Sequence, residues 1–189
     1  MSKPSLLVII NPISGRGKAL NNFNKIKHKL ASIFDLDIFI SEYSGHVNDY
    51  FSTEVILHDK IISVGGDGLL FEIINNIINH DARKDIPIGV IPSGSGNGFF
   101  QSIVHENDEK FNLDNSISII KKNNTSKCDV MKVDFNNTTK YGCLAISWGI
   151  ISELDIKTEW LRCLGSLRFD LGGVWNIIKK PQFTGTLKY

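Results

Sequence analysis

The sequence predicts an α/β fold, a mostly parallel open sheet followed by the start of a second, antiparallel β-rich domain. Three observations predict it. Short apolar runs alternate with helix-period segments through the first two-thirds of the chain, which implies parallel strands joined by right-handed crossovers. Three strand-like runs end in Gly/Ser-rich turns, at 11–18, 65–68 and 93–98. After about Asn115 the pattern changes to strand-like runs flanking Asn136-Asn137-Thr138-Thr139, a hairpin signal.

In chain order, residues 5–10 read as a buried strand. A helix is expected over 18–34, with Leu20, Phe23, Ile26 and Leu30 on one face. Residues 36–40 form a second strand, and 46–56 a helix with Ser44 as its cap. Strand 60–64 runs into Gly65-Gly66-Asp67-Gly68, and a helix over 68–79 places Ile73, Ile74, Ile77 and Ile78 on one face. Strand 86–91 leads into the turn 92–98 and a short helix through Val104. Further on, 127–135 and 140–148 are strand-like, 152–164 and 166–179 helical, and 183–189 alternates like a strand. The expected domains are 1–125 and 126–189. Ligands of such open sheets bind beyond the carboxyl ends of the strands, where the three turns can converge.

Bulk properties narrow the function classes. The formal net charge is +1 and no Lys/Arg block stands out, so no nucleic-acid partner is expected. Cys128, Cys143 and Cys163 are widely spaced and odd in number. They suit neither a disulfide framework nor a zinc site, and point to a reducing cytoplasmic compartment. The five histidines have no ligand spacing. No signal-peptide layout is present, and no apolar run approaches the roughly 18 residues that span a bilayer.

The turn at 65–68 carries the most chemistry. Its glycines let backbone N–H groups approach a phosphate, and the following helix start favours negative charge. Asp67 among such amides would repel the ligand unless it serves a metal or a nucleophile, which suggests phosphoryl transfer. Alone, this tetrapeptide is equally compatible with a tight strand-to-helix connection. The segment 11–18 is not a Walker loop, since Pro12 stands at the first glycine position and Ala19 follows Lys18. The segment 92–98 does not fit the dinucleotide fingerprint, because Phe99 stands where its last glycine belongs.

Together these residues resemble the diacylglycerol kinase catalytic family, and within it the sphingosine kinases most closely. The resemblance rests on Asn11-Pro12 with Ser14-Gly15 and Lys18-Ala19, on Gly65-Gly66-Asp67-Gly68-Leu69 with Glu72 and Asn75, and on Ile91-Pro92-Ser93-Gly94-Ser95-Gly96-Asn97. It extends to Trp148-Gly149, Asp155, Thr158-Glu159, Arg162, Leu164-Gly165, Arg168-Phe169 and Phe183-Thr184-Gly185-Thr186-Leu187. Leu69 stands where diacylglycerol-directed members usually have Thr. Ser41 stands for a common Thr, Ser44 for a basic residue, and Ala145 for a Ser that often contacts lipid.

The resemblance implies an NAD-kinase-like, Rossmann-like nucleotide-binding domain and an ATP-dependent kinase of sphingoid bases, with Mg²⁺. It implies Asp67 as general base toward a lipid primary hydroxyl. Gly65, Gly66 and Gly68 would hold phosphates through their amides. Asn11, Pro12, Ile13, Ser41, Glu42, Glu72, Ser95, Gly96 and Asn97 would surround the nucleotide. Arg162 and Arg168 would neutralise the β- and γ-phosphates, and Asp155 would pair with the substrate amine. Transient contact with membrane surfaces is expected of a cytoplasmic enzyme on such a substrate. Ceramide kinase, diacylglycerol kinase and a non-catalytic ATP-binding remnant are the alternatives. Members of the family continue well past the position of Tyr189, so the chain is expected to be truncated. The missing part would help bury the apolar face made by Phe169, Leu171, Val174, Trp175, Ile177 and Ile178; the alternative for that helix is contact with a membrane surface, with Lys179 and Lys180 at its end.

Overall fold

Strand β1 (Ser5–Ile10) buries Leu6, Leu7, Val8, Ile9 and Ile10 completely. A strand apolar on both faces must be covered from both sides, which is the position of an inner strand in a parallel sheet. In the computed structural model, which describes residues 2–80, 85–147 and 167–179 with Ser152, Ile156, Lys157, Gln182 and Thr184, β1 is such a strand. It pairs in parallel with β2 (Asp35–Ile40) and with β3 (Lys60–Gly65), and β3 pairs in parallel with β4 (Ile88–Pro92). The sheet order is β2-β1-β3-β4. Strand β2 lies at an edge, and Asp35 and Asp37 suit it to that place, since charge discourages further pairing.

Two layers of helix cover the sheet. Leu6, Val8 and Ile10 of β1 pack with Phe23, Ile26 and Leu30 of α1 (Ser14–Ala31) and Ile117 of α5 (Leu113–Lys122). On the opposite face Leu7 and Ile9 pack with Val47 and Phe51 of α2 (His46–Thr53), and with Leu69, Ile73 and Ile77 of α3 (Asp67–Asn79). Each such side chain contributes roughly 1.5–3 kcal/mol on burial. That gain outweighs the modest helix propensity of the isoleucines in α3. A third cluster joins α3 to Phe100 and Val104 of α4 (Gly98–Glu106).

The hairpin follows. Strands β5 (Met131–Phe135) and β6 (Thr138–Gly142) pair antiparallel, with Phe135 opposite Thr138. Their two-residue turn, Asn136-Asn137, has φ of 46° and 62°, the left-handed pair that a primed hairpin turn requires and asparagine tolerates. The predicted class, α/β with a parallel sheet and an antiparallel β element behind it, is therefore the observed one. The chain divides into two compact units, Met1–Leu144 and Ala145–Tyr189. The second contains α6 (Leu167–Lys179). Among the described residues no helix is long and apolar enough to cross a membrane.

Local expectations differ from the structure at several places: α1 ends at Ala31 and not at Phe34, β4 begins at Ile88 and not at Ile86, and β5 begins at Met131 and not at Lys127. Gly45, at φ 91°, is the N-cap of α2 in place of Ser44, and no side chain caps that helix. Helix α2 stops at Thr53 and not at Ile56, because Glu54 is already extended. Helix α5 was not anticipated. Strand β6 ends at Gly142 and not near Trp148, because β5 begins only at Met131 and offers no partner beyond it. Most of the expected strand 183–189 lies outside the described residues, as does most of the expected helix 152–164.

Candidate active site

The carboxyl ends of β1, β3 and β4 lie side by side in the sheet, so the three Gly/Ser turns that follow them meet. After β1, Asn11 donates its N–H to Val64 O (3.1 Å), and its Oδ1 accepts from the N–H of Ile13 (3.2 Å). Gly15, Arg16 and Gly17 then adopt φ of 60°, 61° and 81°, and regular helix starts at Lys18, where the apolar spacing expects it. After β3, Gly66 carries the chain into α3. After β4, Ser93 donates its N–H to Gly65 O (2.8 Å).

The turns touch through their glycines. A Cβ on Gly15 would run into the carbonyl oxygen of Ser93, and one on Gly94 into the Cα of Gly66. Backbone cannot yield to a methyl group there, so these turns close on one another only as glycines. Asn97 fixes the third turn: its Oδ1 accepts from Gly94 N–H and its Nδ2 donates to Gly94 O, both at 2.8 Å. It is buried and left-handed, with φ 55°. Ser95 and Gly96 form the exposed tip of that turn.

Asp67 stands where the turns meet. It is the first residue of α3, and its carboxylate accepts the N–H of Gly98 at Oδ2 (2.9 Å) and of Phe99 at Oδ1 (3.0 Å). Asp67 thus caps α4 from a different helix. Both oxygens are pinned, yet each keeps lone-pair capacity, and the residue is only half-buried. The start of α3 itself has no side-chain cap; Leu69 N–H turns back to Gly66 O (3.1 Å), so the amides of Asp67 and Gly68 before it are the ones without an intrahelical partner. Gly68 lies on this first turn, exposed, and a Cβ there would meet nothing within 4 Å. The start of α4 offers no matching site, because its first two amides are occupied by Asp67.

The other sequence-derived candidates fall into four groups. Asn11, Pro12, Gly65, Gly66, Gly68, Ser95, Gly96 and Asn97 are on the meeting turns, with Ile13 78% exposed beside them. Ser41 and Glu42 follow β2, next to Asn11, because Ser41 N–H donates to Ile10 O (2.9 Å). Glu72, half-buried on α3, has its carboxyl pushed above the ordinary value of 4.5 by desolvation. Asp155 and Arg162 lie outside the described residues, and Arg168 is placed only as a backbone position in the first turn of α6.

Sequence reasoning missed Ser93, which is buried and accepts a hydrogen bond at Oγ from Asn22 Nδ2 (3.3 Å). It also missed Tyr43 and His46, which pack together after β2. The run Tyr43-Ser44-Gly45-His46 held that signal, an aromatic pair across a glycine turn. Among the described residues no group of three or more His, Cys, Asp or Glu could hold a metal.

A parallel sheet with three glycine turns at its carboxyl edge, an uncapped helix start and a pinned carboxylate defines an α/β protein equipped to hold a phosphate beside a proton acceptor. The diacylglycerol kinase catalytic domain matches residues 5–133, more than half of the chain, and the chain belongs to that family. It is 30% identical to sphingosine kinase 1 of Arabidopsis thaliana over 97% of this chain and 39% of that protein. It is 31% identical to sphingosine kinase 1 of Caenorhabditis elegans, over 98% of this chain and 42% of that one. The chain thus spans about two-fifths of the length of these curated relatives. Among solved structures, a diacylglycerol kinase from Bacillus anthracis str. Sterne superposes with a TM-score of 0.59 at 28% identity. The match covers 74% of this chain and 48% of that one.

Proposed function

We propose that this chain carries the catalytic centre of an ATP-dependent lipid kinase of sphingosine kinase type, transferring the γ-phosphate of ATP to the primary hydroxyl of a sphingoid base. The observation that carries this reading is the start of α3. An uncapped helix terminus, with a glycine kept open where a side chain would cost nothing sterically, lies beside a carboxylate that two amides hold in place. Family membership and the two sphingosine kinase relatives support the substrate class.

The chemistry is in-line displacement. The lipid hydroxyl oxygen bonds to the γ-phosphorus as the bond to the β–γ bridging oxygen breaks. ADP leaves with that electron pair, and the hydroxyl proton passes to Asp67. Such a reaction needs positioning and charge stabilisation more than covalent help. The amides of Gly66 and Gly68 hold phosphate oxygens, whereas Gly65, expected to do the same, is buried and paired with Pro92 in the β3–β4 ladder, so its N–H is used by the sheet. Asn11, Pro12, Ile13, Ser41, Glu42, Glu72, Ser95, Gly96 and Asn97 shape the nucleotide site. Mg²⁺ suits this donor set only as part of the nucleotide complex, ligated chiefly by phosphate oxygens and water, and supplies charge neutralisation when bound. Arg162 and Arg168 add positive charge, and Asp155 selects a cationic headgroup, since a neutral one would leave that carboxylate unpaired.

Substrate delivery requires a membrane. On α6, Leu171, Val174, Trp175 and Ile178 fall at helical spacing on one stripe and are all exposed, with Lys179 Nζ 4.8 Å from the Trp175 ring centre. Such a stripe suits peripheral contact of a cytoplasmic protein with a lipid surface. The test is incubation of the purified chain with γ-labelled ATP and, separately, sphingosine, ceramide and diacylglycerol. Label in sphingosine, abolished by Asp67→Asn, is the expected result. Label in diacylglycerol alone would remove the role given to Asp155, and absence of Mg-ATP binding by calorimetry would remove the kinase reading altogether.

A further inference from the structure

Exposed tyrosines ordinarily rotate freely, but Tyr43 does not. Its ring lies parallel to that of His46, with centroids 4.3 Å apart and planes inclined by 15°. Its hydroxyl donates to Asp49 Oδ2 (2.8 Å), in the first turn of α2. His46 is itself braced, edge-on against Phe39 at 4.8 Å, and Phe39 packs against Tyr50 at 4.3 Å. The Nδ1 of His46 accepts the N–H of Glu42 (3.1 Å), which closes the turn around the left-handed Gly45. One face of the Tyr43 ring is covered by imidazole and its tip is tethered, yet the residue is 54% exposed. A flat aromatic surface is thus held rigid with one face toward solvent.

Its place in the sheet gives it a use. The segment bearing Tyr43 leaves the sheet at the carboxyl end of β2, the same edge at which the turns after β1, β3 and β4 meet. Strands β2 and β3 are two spacings apart, about 10 Å, with the turn after β1 between them. A nucleotide whose phosphates lie at the start of α3 is therefore long enough to bring its base to the end of β2. Local charge sets the polarity. Glu42 and Asp49 flank Tyr43 and repel phosphate, whereas a neutral base is not repelled.

The geometry points to Tyr43 as the stacking platform for the base of the bound nucleotide, a specificity element that demands a planar heteroaromatic ring at the end of the polyphosphate. Because the ring is fixed before binding, stacking on it costs little ordering entropy. Stacking tolerates any base, so the platform distinguishes nucleotides from bare polyphosphates more than one base from another. The inference rests on the nucleotide reading of the meeting turns.

Calorimetry on the full chain with Mg-ATP and, separately, inorganic tripolyphosphate tests it. Loss of one base–aromatic stack is expected to weaken Mg-ATP binding by about tenfold or more in Tyr43→Ala, with tripolyphosphate affinity unchanged. Tyr43→Phe keeps the ring and should bind Mg-ATP within about threefold of the natural chain. Unchanged Mg-ATP affinity in Tyr43→Ala, or an equal loss for both ligands, overturns the platform and leaves the phosphate site standing. If the natural chain binds neither ligand, the nucleotide site fails and the platform with it.

Discussion

The side chain of Asn75 behaves toward Tyr141 as a neighbouring strand would. From α3 its Nδ2 donates to Tyr141 O (2.8 Å) and its Oδ1 accepts Tyr141 N–H (2.9 Å), so both backbone groups of one β6 residue are paired by a single carboxamide. The second Nδ2 hydrogen goes to Phe71 O, one turn back on α3 (2.8 Å). Asn75 is buried, and it fastens the hairpin to the helix that begins at Asp67.

Removing that side chain leaves the N–H and C=O of half-buried Tyr141 without their partner, while Phe71 O keeps its helical one. Asn75→Ala should cost about 2–3 kcal/mol, read as a lower urea midpoint. It should also strip the Tyr141 amide of hydrogen-exchange protection. Asn75→Asp should be no better, since it replaces the donor to two carbonyls with an acceptor. An unchanged midpoint together with a still-protected Tyr141 amide would show that the hairpin is held by something else.

The legible and illegible parts of this fold separate by range. Strands β1, β3 and β4 could be read because their apolar runs are short and each is closed by a glycine turn, and β2 because its Leu36, Ile38, Phe39 and Ile40 keep strand character around Asp37. The meeting of the three turns followed from parallel strands alone. Helix α5 was legible in principle. Asn112 accepts from Asn115 N–H at its start (2.7 Å), Asn123 adopts the left-handed cap at its end, and Ile117 and Ile120 lie between. The asparagines there read as a boundary when they were caps. No local pattern announces that Asp67 finds its partners at Gly98 and Phe99, or that Asn75 finds Tyr141. Those pairings exist only once the sheet has brought distant segments together.

Glu72 gives a pH dependence of definite sign. Desolvation raises its folded pKa above 4.5, so between the unfolded and folded values the folded state holds more of the proton. Stability from this group is then fully present below the unfolded value and is lost as pH rises through the folded one. Ionised Glu72 is a standing cost at neutral pH, and Glu72→Gln should remove it. The variant should show a higher urea midpoint than the natural chain at pH 7 and no advantage near pH 4. An advantage equal at both values would mean that burial of the carboxylate is not its source.

Asp67 is expected to serve structure and chemistry separately, and two substitutions divide the roles. Asp67→Ala leaves the Gly98 and Phe99 amides without their acceptor, a lost helix cap worth about 1 kcal/mol and a fall in Tm of roughly 2–4 °C. Asp67→Asn retains an acceptor oxygen for one of the two amides, so its stability loss should be smaller. Phosphate transfer should vanish in both, because neither side chain can take up the hydroxyl proton. Turnover surviving in the Asn variant would remove Asp67 as base while leaving its hold on α4 intact.

Gly68 separates what the fold needs from what a ligand needs. Its φ is not positive, a Cβ would touch nothing within 4 Å, and it occupies a helical position. Glycine in a helix costs up to about 1 kcal/mol relative to alanine. Nothing among the described residues therefore calls for glycine here, in contrast to Gly94, whose Cβ would run into Gly66. A side chain at 68 would instead stand at the first turn of α3, where the proposed phosphate would approach its amides. Gly68→Ala should accordingly raise the urea midpoint, by up to about 1 kcal/mol in stability, and at the same time weaken Mg-ATP binding measured by calorimetry. The opposite signs are the diagnostic feature, since damage to the fold would lower both. A stabilised variant with undiminished Mg-ATP affinity would mean that no ligand approaches the first turn of α3, and the phosphate site would have to lie elsewhere.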